Sequence, residues 1–223
     1  MTDTALTDPR LPRLRAGLRQ LNLSADAKQE QQLLAYLDLI IAWNRWINLT
    51  AVRDPQQMVV GHLLDCLAAL PAIDRRCGRN ELRVLDVGSG AGLPGAAWAV
   101  LRPEWSITCV DAVAKKAGFV RQVAAELGLR RLHAEHARVE ALRAAPFDLI
   151  VSRAFAALPE FVALTAGLLA AEGCWLAMKG RVPHQEISAL PATIDVFHVE
   201  QLLVPQLDAS RCLVWMRPRR EQL

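Results

Sequence analysis

The chain has 223 residues, 26 Lys and Arg against 23 Asp and Glu for a net charge of +3, and 52% hydrophobic residues. This composition excludes an intrinsically disordered protein, and the length suffices for one sizeable domain with a helical addition. The small positive charge permits a basic face for nucleic acid but does not establish one.

Several motifs that would indicate other classes of protein are missing. The five cysteines form no C-x-x-C pair, so we expect buried free thiols and no metal. The start of the sequence has no apolar core of a signal peptide, and no uninterrupted apolar run reaches the length of a membrane span. No heptad seam is visible either. We therefore expect a cytoplasmic monomer with no membrane partner.

The first third of the chain is predicted to be helical. Residues 11–22 carry leucines at helical spacing, and Ser24 is the predicted N-cap of a second amphipathic helix. A third helix is predicted to begin at Asp54-Pro55 and to close at Pro71. We expect 1–80 to form a helical extension packed on a core of 81–223, within one compact domain.

Some polar residues interrupt the apolar faces of these helices. Asn44 and Asn48 lie in the stretch W-N-R-W-I-N-L-T-A, and His62 and Asp65 are one turn apart. They could form a buried polar network that fixes how the helices dock, or a wall of a ligand pocket. For His62 and Asp65 we favour the network, because a lone histidine is more often satisfied than catalytic.

The stretch from Leu82 to Gly95 reads L-R-V-L-D-V-G-S-G-A-G-L-P-G. An apolar strand is followed by a side-chain-free turn and a helix, so backbone N–H groups can approach a ligand closely. Leu93 stands where a dinucleotide fingerprint has its third glycine, which disfavours an NAD-dependent oxidoreductase. The pattern D-x-G-x-G-x-G is that of methyltransferases using S-adenosylmethionine, although such a turn could also bind nothing. Its residues are Asp86, Gly88, Gly90 and Gly92.

The remaining strands alternate with helices, which predicts a doubly wound α/β sheet. The predicted strands are Trp105–Val110, Leu132–His136, Asp148–Val151 and Trp175–Met178, and then a closing antiparallel pair, Asp195–Val204 and Cys212–Met216.

Ligands of such sheets lie beyond the carboxyl ends of the strands. Asp86 could help to hold the ligand's amino group or an ordered water there. Asp111 could accept both ribose hydroxyls, cap a helix, or do both. Adenine is expected near Arg138, Val139 and Glu140 after the third strand. Residues 152–155 would face the methyl group and the nucleophile.

Six separated motifs resemble those of the RsmG (GidB) family of small-subunit ribosomal RNA guanine-N7 methyltransferases. The resemblance runs from about Leu33 to the C-terminus. Cys66 and Ala112 stand where serine is common in the family, which weakens any claim that those hydroxyls are essential. The motifs are, in order, W-N-R-W-I-N-L-T-A, H-L-L-D-C, L-D-V-G-S-G-A-G-L-P-G, R-V-E, F-D-L-I-V-S-R-A-F and M-K-G.

This resemblance implies a class I, Rossmann-like methyltransferase fold of seven strands, mostly parallel with an antiparallel C-terminal strand. It implies methylation of a guanine in the 530 loop of 16S rRNA, with the small ribosomal subunit as partner. It also implies S-adenosylmethionine as the cofactor, with contacts at Gly88, Leu93, Val139, Glu140 and Arg153.

The chemistry of N7 needs no general base, because its lone pair carries no proton and can attack the methyl group in line. The sequence has no Asn/Asp-Pro-Pro-aromatic motif after the fourth strand and no Pro-Cys dipeptide, which adenine-amine and pyrimidine-C5 methylation would use. We therefore assign no catalytic residue, only the positioning candidates Arg153, Phe155 and Asn44. For Phe155, core packing is an equal alternative to stacking on the base. Action on another RNA or a small molecule, or cofactor sensing without turnover, remains open.

RNA phosphates are expected to meet basic side chains on the ligand side. The candidates are Lys115, Lys116, Lys179 and Arg181, ahead of the N-terminal Arg10, Arg13, Arg15 and Arg19 and the tail Arg217–Arg220.

Overall fold

One sheet of seven strands organises the fold in the computed structural model, which describes residues 8–219. The strands are β1 (Arg83–Val87), β2 (Ser106–Asp111), β3 (Leu132–His136), β4 (Phe147–Arg153), β5 (Leu169–Lys179), β6 (Ile194–Leu202) and β7 (Arg211–Pro218). Their order across the sheet is β3-β2-β1-β4-β5-β7-β6. The first five are parallel, and β7 is antiparallel to both β5 and β6. The predicted class I fold and its antiparallel C-terminal strand are confirmed.

The helices are α1 (Leu11–Gln20), α2 (Ala27–Trp43), α3 (Pro55–Met58), α4 (Asp65–Leu67), α5 (Leu70–Cys77), α6 (Gly95–Leu101), α7 (Ala114–Glu126), α8 (Leu158–Thr165) and α9 (His184–Ser188). The predicted N-cap of α2 is wrong by two residues. Asp26, not Ser24, accepts from the Gln29 N–H, and the Gln29 side chain accepts from the Asp26 N–H in return. This reciprocal capping box satisfies two N–H groups that the helix leaves free.

The prediction that Pro71 ends the third helix is also wrong. Pro71 lies in the first turn of α5, where a missing N–H costs nothing, and the helix continues to Cys77. Gly78 ends it with φ +56°, in the left-handed region that glycine tolerates. A π-helical turn over Val59–Leu64 joins α3 to α4.

The stretch Pro55–Cys77 is, within residues 8–219, the one helical segment long and apolar enough to cross a membrane, but 78% of its most apolar window is buried inside the fold. It is therefore a core segment. Its Leu63 packs in the same hydrophobic cluster as Leu14, Leu37, Val84 and Trp98. That cluster fills one face of the sheet, and a second fills the other. The division at residue 80 stays a prediction.

The N-terminal helices are fixed to the α/β body by side chains that donate to its backbone. Gln29 Nε2 donates to Val100 O at 2.9 Å, and Gln32 Nε2 donates to Leu127 O at 2.6 Å. In return, the buried Trp98 Nε1 donates to Cys66 O at 2.8 Å. Val100 and Leu127 lie at the C-terminal ends of α6 and α7, where β2 and β3 begin, so α2 starts at that side of the sheet and runs toward the opposite side. We call this opposite side, at which the parallel strands end, the carboxyl edge.

Candidate active site

The turn after β1 has the backbone that its glycines predict. Gly88, Gly90 and Gly92 have φ of +65°, +58° and +82°, a region that side chains disfavour. The N–H of Gly88 donates to Val110 O at 2.9 Å, and the N–H of Gly90 donates to Asp111 Oδ2 at 3.0 Å. The turn is thereby held against the end of β2.

Asp86 is the penultimate residue of β1, just before this turn, and is fully buried. Its Oδ2 accepts from the Gly95 N–H at 2.9 Å, whereas its Oδ1 has no partner among the described residues. Burial raises the pKa of this carboxyl to about 7, although the Gly95 N–H and the charge of Arg153 act in the opposite direction. A buried acceptor without a partner is costly, and it suits a ligand cation or a bound water.

A cavity of about 240 Å³ opens beside the turn and collects the predicted adenosine residues. Its lining includes Gly88, Asp111, Val139, Glu140 and Phe155. Asp111 accepts from the Gly90 N–H and, through Oδ1, from the Val113 N–H at 2.8 Å. Asp111 is not the N-cap of α7, because that position is held by Val113. Asp111 instead accepts from the Val113 N–H, just before the helix begins.

Phe155 covers the floor of this cavity. A Cβ on Gly88 would lie 2.5 Å from Phe155 Cδ2, and the Phe155 ring meets Phe161 edge-on at 6.5 Å between centroids. The side chain is nevertheless 36% exposed. Both interpretations of Phe155, packing and ligand contact, are therefore compatible with its place.

Tyr36 holds the glycine turn from the helical layer, a role that the sequence analysis missed. Its hydroxyl donates to Ala91 O at 2.5 Å, and its ring is fully buried. Trp43 lies about two turns further along α2, and its ring meets Phe119 of α7 edge-on, with 5.4 Å between the ring centroids. A lone tyrosine on an apolar helix face gives no sequence signal for such a contact. These two aromatics fix the end of α2 at the carboxyl edge.

Arg153, at the end of β4, is held by Asp65 and by the π-helical turn. Its Nη1 donates to Asp65 Oδ2 at 3.0 Å and to Gly61 O at 3.2 Å. Arg211, which opens β7, donates through Nε to the other Asp65 oxygen at 2.6 Å. These contacts fit the buried polar network that the sequence analysis favoured for Asp65. The partners of the Asp65 carboxylate are, however, Arg153 and Arg211 and not His62.

His62 and Asn44 support the loop between α2 and α3. His62 Nε2 lies 2.9 Å from Thr50 Oγ1, and burial lowers its pKa. Asn44 Oδ1 accepts from the N–H groups of Leu49 and Thr50 at 2.9 and 3.1 Å, and its Nδ2 donates to Thr50 O at 2.9 Å. The amide of Asn44 is thus occupied by the loop itself.

The predicted RNA-binding cations divide into paired and free side chains. Lys179 donates to Glu186 Oε2 at 2.8 Å and to Ala156 O at 3.2 Å. Lys115 and Arg181 are exposed and Lys116 half-buried, and none of the three has a side-chain partner among residues 8–219. Among the N-terminal and tail candidates, Arg10, Arg15 and Arg217 pair with carboxylates. Arg13 donates to the Gln206 side chain and to Gln56 O, and Arg19 has no side-chain partner within the described chain. Arg220 lies outside the described residues.

Three comparisons relate this geometry to known proteins. A family model described as rRNA small subunit methyltransferase G matches residues 29–214. The ribosomal RNA small subunit methyltransferase G of Leptothrix cholodnii is 59% identical over 206 residues, covering 92% of this chain and 94% of the relative. That of Methylibium petroleiphilum is 56% identical over 203 residues, covering 91% and 92%.

The fold has solved counterparts at much lower identity. The crystal structure of the glycopeptide N-methyltransferase MtfA is similar with a TM-score of 0.58 and 14% identity, covering 71% of this chain and 92% of that one. At that identity the likeness concerns the fold alone.

Proposed function

The chain belongs to the rRNA small subunit methyltransferase G family, and from that premise we propose that it methylates N7 of a guanine in the 530 loop of 16S rRNA. Membership makes it an S-adenosylmethionine-dependent methyltransferase of 16S rRNA. The choice of N7, of that loop and of a direct in-line transfer is our proposal.

The residues around the cavity fit S-adenosylmethionine. The cavity has apolar walls and acidic side chains, among them Asp111 and Glu140. Asp86 is buried outside its lining, where the unpartnered Oδ1 suits a bound water or a cation that reaches beneath the turn. We assign Asp111 to the ribose hydroxyls, because each carboxylate oxygen keeps a further lone pair beside its N–H contact. Val139 and Glu140 are assigned to adenine, and Gly88, Leu93 and Arg153 to the amino-acid end. When bound, the cofactor supplies an electrophilic methyl group on a sulfonium.

The observation that carries the choice of N7 is the pairing of the ionisable groups near Arg153. Asp65 is shared by Arg153 and Arg211, and Lys179 is bound to Glu186. His62 Nδ1 and Asp86 Oδ1 have no partner among the described residues, but both side chains are buried and offer no exposed base to a substrate. A nucleophile that first had to lose a proton would need one of these groups free. N7 has no proton to lose, so holding the base in line is enough, and such positioning lowers barriers by roughly 7–11 kcal/mol when geometry is well held.

Arg153 is proposed to contact the cofactor carboxylate or an RNA phosphate rather than N7. An arginine aimed at N7 would occupy the lone pair that must attack. The side chain is 23% exposed, so a donor remains for a ligand beside its Asp65 contact. Arg153→Ala is therefore expected to weaken cofactor affinity or turnover, and a variant unchanged in both would remove Arg153 from the site.

The experiment for the proposed function is methylation of 16S rRNA by purified protein with methyl-labelled S-adenosylmethionine. The substrates are deproteinised 16S rRNA and small subunits from cells lacking the protein. We expect 7-methylguanosine in the 530 loop, missing in the deletion cells and restored by the protein. Label in another base, or in a small molecule only, would support the alternative substrates instead.

A further inference from the structure

Among residues 8–219, the large hydrophobic side chains that are exposed include three that follow strands at the carboxyl edge. Val113 follows β2, Phe155 follows β4 and Leu203 follows β6, which runs parallel to β5. Trp46 is 86% exposed in the loop between α2 and α3. Thr50 of this loop contacts His62, and the neighbouring Gly61 O accepts from Arg153. The three strands are not neighbours in the sheet, so these side chains are separate exposed positions and Trp46 is considered by its own surroundings.

Trp46 is presented by a braced loop. Its N–H donates to Trp43 O at 2.9 Å, and the three Asn44 side-chain bonds fix the backbone that follows. Ile47 and Leu49 on either side of Asn48 pack against the core, whereas the Trp46 indole does not. A rigid backbone with an outward aromatic loses little conformational entropy when it stacks on a ligand.

The charges beside Trp46 indicate the kind of ligand. Arg45 and Arg53 are exposed, and neither has a side-chain hydrogen bond or ion pair within residues 8–219. Unpaired arginines also occur elsewhere among the described residues, at Arg19, Arg130 and Arg181, so the distinguishing feature of this loop is the exposed indole that it carries together with its two arginines. An exposed aromatic side chain on a loop that also carries free guanidinium groups suits single-stranded nucleic acid, whose bases stack on aromatic rings and whose phosphates are neutralised by cations.

We propose that Trp46 stacks on an unpaired base of the rRNA loop that carries the methylated guanine, with Arg45 and Arg53 on the flanking phosphates. The proposal rests on the proposed function and adds a specificity-determining residue to it. An indole stacks on a base more extensively than smaller side chains do, and RNA loops offer bases free of pairing. The Asn44 contacts would then serve the RNA through the loop that they brace.

The test uses Trp46 as its own probe, because it is the exposed tryptophan of the chain. Trp98, Trp105, Trp175 and Trp215 are buried and Trp43 is half-buried. Titrating the full-length protein with 16S rRNA, or with small subunits from deletion cells, is expected to quench emission and reduce acrylamide quenching. Trp46→Phe should remove most of both changes, while S-adenosylmethionine alone should not protect Trp46 from acrylamide.

Affinity and salt dependence separate stacking from charge. Trp46→Ala is expected to weaken RNA affinity about tenfold or more, Trp46→Tyr by less than about threefold, and both should keep wild-type affinity for S-adenosylmethionine. The Trp46 variants should keep the wild-type slope of log affinity against log salt, whereas Arg45→Ala should lower it. Arg130→Ala, an exposed unpaired cation at the opposite edge, is the matched control and should change neither.

The failures are distinguishable. If wild-type protein methylates the rRNA and Trp46→Ala binds and methylates it equally well, the stacking is wrong and the proposed function stands. If wild-type protein binds neither RNA nor subunits, the proposed function fails and the stacking fails with it.

Discussion

Arg153 and Asp65 are 88 positions apart in the chain, yet the guanidinium donates to the buried carboxylate at 3.0 Å. Arg211, 146 positions from Asp65, donates to its second oxygen at 2.6 Å. One carboxylate thus ties the end of β4, the start of β7 and the helical layer together. The orientation of the Arg153 side chain therefore depends on Asp65.

Removing this carboxylate should cost both stability and cofactor affinity. Asp65→Ala leaves two partly buried guanidinium groups without their counter-ion, and breaking such a pair costs about 3–5 kcal/mol. Asp65→Asn keeps the shape and one acceptor, so we expect a smaller loss. Urea unfolding and calorimetry with S-adenosylmethionine measure the two effects. Asp74→Ala, which breaks the more exposed Arg102 pair, is the control and should cost less than about 1 kcal/mol. Equal losses in the two alanine variants would contradict the assignment.

The carboxyl of Asp86 should give the protein a distinctive pH dependence. Its pKa is about 7 in the folded chain and near the usual 3.8 when unfolded. Below about pH 4 the carboxyl is protonated in both states. As pH rises from about 4 to 7, the unfolded chain loses this proton while the folded chain keeps it, so the free energy of unfolding falls progressively and levels off above about pH 7. The difference in unfolding free energy between wild type and Asp86→Asn, measured from pH 4 to 8, should shift against the wild type by at most about 4 kcal/mol. A flat difference would mean that Asp86 does not titrate in this range.

A methyl group on Gly88 should block the cofactor cavity. Gly88→Ala places a Cβ 2.5 Å from Phe155 Cδ2 at a φ of +65°, so the ring must shift and the turn is strained. We expect loss of S-adenosylmethionine binding in calorimetry and a lower melting temperature. Gly118→Ala is the matched control, since nothing lies within 4 Å of its Cβ and it sits in α7. That substitution should raise stability by up to about 1 kcal/mol without affecting binding. Full cofactor affinity in Gly88→Ala would place the cofactor elsewhere.

The cysteines should differ in reactivity. A hydrogen bond from Cys174 lowers the pKa of Cys77, whereas burial raises that of Cys66 to about 12 and that of Cys109 well above its usual value. Because the thiolate is the nucleophile, Cys77 should be the first to react with iodoacetamide near neutral pH. Peptide mapping by mass spectrometry at short reaction times checks the order. Alkylation at Cys66 before Cys77 would contradict it.

The free cations beside the cofactor cavity should carry part of the RNA affinity. Lys115 is exposed and unpaired among the described residues at the start of α7, so Lys115→Ala should lower the slope of log affinity against log salt by about 0.7. Glu186→Gln should have a different effect, because it frees Lys179 from its ion pair and should raise the slope. Filter binding at several salt concentrations measures both. Identical slopes for wild type and Lys115→Ala would remove Lys115 from the RNA interface.

Local sequence patterns were enough for the architecture. The glycine turn, the doubly wound sheet implied by alternating strands and helices, and the antiparallel closing pair follow from local patterns. Helix ends were less secure. Pro71 could end a helix or open one, and only the packing of α5 against the core selects the second.

What the sequence determined by itself is therefore the fold class, the methyltransferase turn and the family. The tertiary structure decided which charged side chains form ion pairs within the protein and which stay unpaired and available to a ligand. Lys179 and Arg181 read alike in the sequence, but Glu186 neutralises only Lys179. Trp43 and Trp46 read alike too, yet Trp43 packs on Phe119 and Trp46 faces solvent. The reason is that pairing and exposure are set by contacts between residues distant in the chain, and these exist only once the helical layer has docked on the sheet.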